Sequence, residues 1–388
     1  MKTEWKTVKL QEICESISDG DHLPPPKAEN GIPFVTISNI QDNQLDFTDT
    51  MFVPESYYEK LDNKRKAKKG DILYSVVGSF GIPVLMKRDE KFVFQRHIAI
   101  LRPNKIDSSF LYYTMLNKDF YAKADAAAIG AAQRTVSLTS LRNIEISVPL
   151  LETQMKIAGI LSTYDDLIEN NRKQIKLLEE AAQKLYKEWF VKLNFPGHEN
   201  IKILDGVPEG WKKEKLINLV DVQYGYAFDG SKFNSEGNGK PIIRIRNLPQ
   251  GTTDDFTTEQ TTDDYIVHNG DIVVGMDGEF HINTWNQNDA YLVQRACSFR
   301  PRNENMKGYI LQAIYAPIKF FENTVVGATV AHLGKKHIDT IEIWTCNEEL
   351  YIPFQNMFRK RQALLNQIQL LKSARDKLLP KLMNAGAI

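Results

Sequence analysis

Residues 152–190 read ETQMKIAGILSTYDDLIENNRKQIKLLEEAAQKLYKEWF. The stretch has no proline and a single glycine, Gly159. Alternate steps of four and three residues land on Ile157, Leu161, Tyr164, Ile168, Asn171, Ile175, Leu178, Ala182, Leu185 and Trp189. That is an uninterrupted heptad seam, and such a seam needs a second helix to cover it. At ~1.5 Å per residue, about 38 residues predict a rod on the order of 55 Å. Asn171 sits inside the seam, where a polar side chain costs stability but penalises wrong registers. A second seam follows near the C-terminus: Met357, Arg361, Leu364, Ile368, Leu371, Arg375, Leu378 and Leu382. Its two arginines are expected to lay their stems over apolar surface with their heads in water. Pro380 is expected to kink or fray the last turn. Neither helix is stable with its seam exposed, so the two are expected to pair with each other, antiparallel.

Working outward, the segments before the two helices say nearly the same thing twice. Trp5-Lys6 answers to Trp211-Lys212, and Gly31-Ile32-Pro33-Phe34-Val35 to Gly239-Lys240-Pro241-Ile242-Ile243. Gly70-Asp71-Ile72 answers to Gly270-Asp271-Ile272, Val93-Phe94-Gln95-Arg96 to Leu292-Val293-Gln294-Arg295, Arg102-Pro103 to Arg300-Pro301, and Ile144-Glu145-Ile146 to Ile341-Glu342-Ile343. The order is kept while the offset slides from 208 to 197, as insertions in surface loops would make it do. Phe34 to Ile37, Asp71 to Val77 and Phe92 to Leu101 read as strands, and Ser109 to Lys123 as a helix. The fold class is therefore α+β: two similar strand-rich globular modules separated by a pair of long antiparallel coiled-coil helices, in a pseudo-two-fold arrangement. The expected boundaries are 1–150 for the first module, 151–192 for the first helix, 193–346 for the second module with a linker at 193–210, and 347–388 for the second helix.

Composition excludes several classes. The chain has 388 residues, too many for one ordinary core, with 42% hydrophobic and 25% charged residues, as in a folded globular protein. No run approaches the ~20 apolar residues that span a bilayer, and no signal-like segment opens the chain. Cys14, Cys297 and Cys346 have no paired spacing, which fits a reducing cytoplasm and neither disulfides nor zinc. Gly78-Ser79-Phe80-Gly81 runs into Ile82-Pro83 and reads as a turn, so no phosphate cradle is evident. No Asn-Pro-Pro-aromatic run offers a base-methylating site, and Asp89-Glu90-Lys91 is common in surface turns. The seven histidines are scattered. Neither a catalytic nor a metal residue is expected.

Residue types that read nucleic acid are present in loops. In the first module these are Asp19, His22 and Lys27 in a Pro-rich loop, Ser38 and Asn39 after a strand, Ser79, Gln95-Arg96, and Gln133-Arg134 after the run Ala126 to Ala132. In the second they are Tyr226, Arg244, Arg246, Asn247, His281, Gln294-Arg295 and His332. Asn39 and Asn247 hold equivalent positions and have an alternative role, closing a strand with a side chain-to-backbone bond. Gln95-Arg96 and Gln294-Arg295 recur in both copies. Shared residues suit structural or phosphate-directed roles, whereas base readers should differ. Net charge is zero, with 49 basic and 49 acidic residues, but Lys60 to Lys69 is basic where Asp254 to Asp264 is acidic.

This layout resembles the specificity subunit of type I restriction-modification enzymes. The resemblance covers essentially the whole chain. It rests on Asp19-Gly20-Asp21-His22, on Gly31-Ile32-Pro33-Phe34-Val35 through Asn39, on Gly70-Asp71-Ile72-Leu73, and on Val148-Pro149-Leu150 with Glu152 and Gln154. It continues through Glu188-Trp189-Phe190-Val191, Phe195-Pro196-Gly197 and Pro208-Glu209-Gly210-Trp211. Where the first copy has Glu152-Thr153-Gln154, the second has Glu349-Leu350-Tyr351, without the glutamine. The resemblance implies two target recognition domains, each reading half of a split, asymmetric site in double-stranded DNA, with the helices setting the gap. It implies no catalysis and no cofactor on this chain. Two methyltransferase subunits would carry S-adenosylmethionine, and a restriction or motor subunit would use ATP and Mg, all in the cytoplasm.

Two other readings are kept. One is a non-catalytic scaffold that binds protein through both modules, motivated by the aromatic stretch Tyr224-Gly225-Tyr226-Ala227-Phe228. The other is a nuclease acting alone, with Asp71 or Asp271 holding a metal.

Overall fold

The computed structural model describes residues 5–22, 24–130, 134–324 and 331–384. The chain divides into two compact units: Met1–Asp166 with Leu371–Ile388, and Leu167–Leu370. Both long helices cross this division.

In the first unit four antiparallel strands lie in the order Cys14–Asp19, Ile98–Pro103, Ile72–Ser75, Pro83–Leu85. In the second unit the order is Val220–Tyr224, Ala296–Pro301, Ile272–Gly275, Ile282–Thr284, again antiparallel. The repeated motifs are repeated because they bind one another. The Trp-Lys strand pairs with the Ile-Glu-Ile strand in each copy: Lys6–Lys9 with Glu145–Val148, and Lys212–Lys215 with Glu342–Thr345. The strand after Gly31 runs parallel to Val93–Phe94, as Lys240–Ile243 does to Ala290–Leu292. The aspartate of each Gly-Asp-Ile motif forms an ion pair with the arginine of the Arg-Pro motif: Asp71 with Arg102 at 2.8 Å, and Asp271 with Arg300 at 2.9 Å.

The first long helix spans Leu151–Tyr186 and the second Ile352–Met383. Within each unit they run antiparallel. In the first unit Arg375 meets Asp165 at 2.5 Å, and Ile157, Leu161, Leu379 and Met383 share one core. In the second, Asn171 donates to Gln367 at 3.1 Å, and Arg361 meets Glu179 at 2.6 Å. Every expected seam position of both helices is buried or half-buried.

Several expectations need correction. Arg361 and Arg375 turn their heads into the seam rather than out to water. Their side chains are 12% and 13% exposed, and both heads are ion-paired inside the seam. Arg361 also donates to Thr284 at 2.7 Å and to Asn283 at 3.1 Å. The second helix runs through Pro380 to Met383, where the last turn has few bonds left to lose. Its seam also includes Phe354, Phe358, Leu379 and Met383, all buried. The first helix ends in a π-turn, Lys187–Val191, which turns Phe190 onto Trp211 and Tyr309 with ring centres 5.1 and 4.6 Å away.

Phe92 to Leu101 is not one strand but two, Val93–Phe94 and Ile98–Pro103, on different sheets. Gln95-Arg96-His97 breaks it, with the Ile98 N–H closing a turn on the Gln95 carbonyl. Asp71 to Val77 shortens to Ile72–Ser75, because Asp71 turns onto Arg102. Ser109 to Lys123 is two helices, Ser108–Leu116 and Lys118–Ala126; Asn117 ends one and caps the other.

The glutamine expected to be missing from the second copy is Gln355. Gln154 is buried and accepts the Asp107 N–H at 2.9 Å; Gln355 is buried and accepts the Gly308 N–H at 3.0 Å. The short turn Glu348–Leu350 displaces it along the chain. The aromatic stretch at 224–228 is not an exposed patch. Phe228 is buried, and Tyr226 packs on Phe228 and Tyr265.

Candidate nucleic-acid interface

In the first unit most of the candidate residues converge at one end of the four-stranded sheet. The strand Cys14–Asp19 leads into Gly20-Asp21-His22, and this loop lies against the Gln95-Arg96 turn. The Asp21 N–H donates to the Phe94 carbonyl at 2.7 Å, and the Arg96 N–H to the Asp21 carbonyl at 2.9 Å. The approach is close enough that a Cβ on Gly20 would sit 2.0 Å from the Phe94 carbonyl oxygen, and one on Gly225 would sit 2.1 Å from that of Val293. Only glycine fits there. The Ser79 turn joins the same end, since the Val76 N–H donates to the His97 carbonyl at 2.9 Å, and it brings Arg134 with it, the Gly78 N–H donating to the Arg134 carbonyl at 3.0 Å.

The side chains at this end are partly spoken for. Asp19 holds His22 at 2.8 Å. Arg65, within the basic stretch Lys60 to Lys69 and not among the expected candidates, stands 3.9 Å from Asp19 and 3.8 Å from Asp21. Asp21 also accepts the Tyr57 hydroxyl, and burial together with this bond pushes the Tyr57 hydroxyl up to about 12. Arg134 is paired with Asp125 at 2.8 Å. Arg96, Lys27, Ser38 and Ser79 are exposed, and Gln95 is half-buried. Gln133 lies outside the described residues.

The second unit builds the same end from different side chains. The Gln294 N–H donates to the Tyr226 carbonyl and the Met276 N–H to the Arg295 carbonyl, both at 2.8 Å. Gln294, Arg295 and His332 are exposed. Asp277 holds both Arg295, at 3.0 Å, and His332, at 2.5 Å. Sequence reasoning missed Asp277 because its counterpart in the first copy is Val77. Nothing in the sequence marked it, because it meets Arg295 only in the fold. His281 lies in the neighbouring turn, 3.5 Å from Glu279.

Asn39 and Asn247 do the same local work. Asn39 accepts the Thr36 N–H at 2.9 Å, and Asn247 the Arg244 N–H at 2.8 Å, each closing a short turn after its strand. The turn then offers different neighbours. Thr36 and Ser38 in the first copy stand where Arg244 and Arg246 stand in the second. Arg244 lies over the Phe233 ring at 5.3 Å. Arg246 is paired with Asp255, whose carboxyl is raised by burial but lowered further by its bonds from Arg246 and Asn247, so the net shift is down.

Two repeated frames presenting arginine, glutamine and histidine from turns can contact phosphates and base edges. Among the described residues no group of three or more His, Cys, Asp or Glu could hold a metal ion. Asp71 and Asp271 are committed to Arg102 and Arg300.

Comparison with known proteins decides the family. The model of the type I restriction modification DNA specificity domain matches residues 2–180 and again 208–345. The chain belongs to this family. It is 28% identical to the type I restriction enzyme MjaIX specificity subunit of Methanocaldococcus jannaschii, over 98% of this chain and 93% of that one. It is 22% identical to the HindI specificity subunit of Haemophilus influenzae, over 98% and 99%. The match to the putative MjaX specificity subunit of M. jannaschii, 29% identical, spans 62% of this chain and 59% of that one. The crystal structure of an S subunit from M. genitalium superposes with a TM-score of 0.57 at 17% identity, over 98% and 96% of the two chains, and so shares the fold. As a specificity-family member the chain is a non-catalytic DNA-recognition subunit, and its two family matches fall on the two copies of the frame described above.

Proposed function

We propose that this specificity subunit reads a bipartite, asymmetric duplex site, one half with each module, and thereby chooses where a partner methyltransferase acts. Residues 1–150 and 193–346 are taken as the two target recognition domains, with the helices 151–192 and 347–388 setting the unread gap. The observation that carries this reading is one frame built twice with different side chains on it. Val77, Thr36 and Ser38 stand where Asp277, Arg244 and Arg246 stand in the second copy. Equal frames give equal docking, and unequal side chains give unequal base preferences, so the two halves should differ.

The partners follow from the same reading. Two methyltransferase subunits would supply S-adenosylmethionine chemistry, and a restriction or motor subunit would use ATP and Mg, in the cytoplasm. Leu151, Met155, Ile160 and Leu177 are exposed apolar residues on the first long helix, which supports docking of a partner there. Among the described residues no helix is long and apolar enough to cross a membrane.

The test is selection of bound duplexes by the assembled complex, together with methylation mapping. Two short motifs with a fixed gap are expected. A single unbroken motif, or none, refutes the proposal. Lengthening both long helices by one heptad should change the gap and leave both half-motifs intact. Both helices must be lengthened because ion pairs tie them together in each unit.

A further inference from the structure

Arg96 and Arg295 occupy the same place in the two frames, yet their surroundings differ. Arg96 makes no ion pair among the described residues. Arg295 is clamped: its Nη1 meets Asp277 Oδ2 at 3.0 Å, while the other oxygen of Asp277 takes Nδ1 of His332 at 2.5 Å. The clamp is built into the backbone. Asp277 and His332 are bridge partners, as Val77 and Thr135 are in the first copy. The Met276 N–H donates to the Arg295 carbonyl at 2.8 Å, and the Leu333 N–H to the Met276 carbonyl at 2.7 Å. Arg295 itself has a φ of 76°, a left-handed conformation that non-glycine residues seldom adopt. The three side chains remain 58%, 26% and 49% exposed for Arg295, Asp277 and His332, so the cluster faces outward.

A free arginine on a nucleic-acid surface goes to phosphate, because that is where the charge is. A carboxylate beside it cancels much of that attraction and fixes the plane of the guanidinium. Only one of the five N–H groups is needed for Asp277, which leaves an edge that can donate twice to the O6 and N7 of a guanine. With Nδ1 of His332 on Asp277, its Nε2 is left for a second contact. We propose that Asp277 is a specificity-determining positioning residue, which converts Arg295 from a phosphate contact into the reader of one guanine in the half-site of the second module. The inference rests on the bipartite-site reading above and names one base of it.

The experiment is selection from duplexes randomised in both halves, using the full chain assembled with its modification subunit. Wild type is compared with Asp277→Asn, Arg295→Ala, Arg295→Lys and Asp221→Asn. Asp221→Asn breaks an exposed ion pair with Arg302 and serves as a control. Wild type and the control should select a guanine at one position of one half. Asp277→Asn and Arg295→Ala should relax that same position by about 10- to 100-fold, with the other half and the gap unchanged. Asp277→Asn should also steepen the dependence of log affinity on log salt by about 0.9, as one arginine is freed for phosphate. Should Asp277→Asn fail to fold, Arg295→Lys keeps the charge but loses the fork, and it too must lose the guanine. Unchanged preference in these variants, or an equal loss for all duplexes, overturns the role of Asp277. Absence of any two-part motif with wild type would overturn the underlying function, and this inference with it.

Discussion

Asp71 and Arg102 grip each other through two bonds, Nε to Oδ1 at 3.0 Å and Nη2 to Oδ2 at 2.8 Å, with side chains only 3% and 14% exposed. Arg102 further donates to the Lys66 carbonyl, and Asp71 accepts the Lys68 N–H, so the pair fastens the basic stretch to the sheet. Breaking a buried pair from one side leaves a bare charge, whereas removing both sides does not. Asp71→Ala is therefore expected to cost about 3–5 kcal/mol, and Asp71→Leu combined with Arg102→Met far less. Urea unfolding of the full chain checks this. Equal losses for the single and double variants would contradict it.

The two seam arginines should not be equivalent. Asp165, the partner of Arg375, is 16% exposed, while Glu179, the partner of Arg361, is 42% exposed and can turn to water. Among the described residues Asp165 keeps only the Tyr113 hydroxyl when Arg375 is lost. Arg375→Met is expected to cost about 3–5 kcal/mol and Arg361→Met about 1 kcal/mol. Thermal melting gives the order, and the reverse order would be inconsistent with the burial argument.

Gln154 and Gln355 should behave alike. Each side chain satisfies a backbone N–H at the start of a module helix, that of Asp107 and that of Gly308. Truncation to alanine strands that donor, for a loss of about 1–3 kcal/mol at either site. A loss at 154 with none at 355, read from denaturant midpoints, would show that the second contact carries no weight.

Stability should fall in alkali. Burial pushes the Tyr186 hydroxyl up to about 12 from the usual 10, and the Cys14 thiol up to about 12 from 9, with the nearby Asp71 charge adding to the latter. Both folded-state values are raised, so both groups favour the folded chain fully below their unfolded values. That contribution is lost as pH climbs from about 9 to 12. Each group adds a slope of up to about 1.4 kcal/mol per pH unit within its window. Melts at pH 7–12 should be flat and then descend. Tyr186→Phe should make the descent above pH 10 shallower by up to about 1.4 kcal/mol per pH unit, and an unchanged profile would discount that tyrosine.

What could be read in the chain was what repeats. The motifs at Gly70 and Arg102, or at Val93 and Gly31, survive in both copies because each binds another, and heptad spacing exposes its own seam. Less could be read where one residue changes the local answer. Gln95-Arg96-His97 lies between apolar runs and hides a turn. Gln355 is masked by a short added turn. Arg361 and Arg375 look like surface residues until Glu179 and Asp165 are placed opposite them. At the candidate interface, Asp277 and Arg65 were invisible because their importance lies in which arginine or carboxylate they meet.

The heptad repeat of the seam disfavours sliding of one helix along the other by anything but whole heptads, and the contact between Asn171 and Gln367, a polar notch in that seam, weighs against even those. A helix pair used as a ruler is thus graduated. One heptad is about 10 Å, or roughly three base-pair steps of 3.4 Å. If the pair sets the gap as proposed, distances between half-sites would change in increments of about three base pairs, and intermediate separations would be met by bending or twisting the DNA.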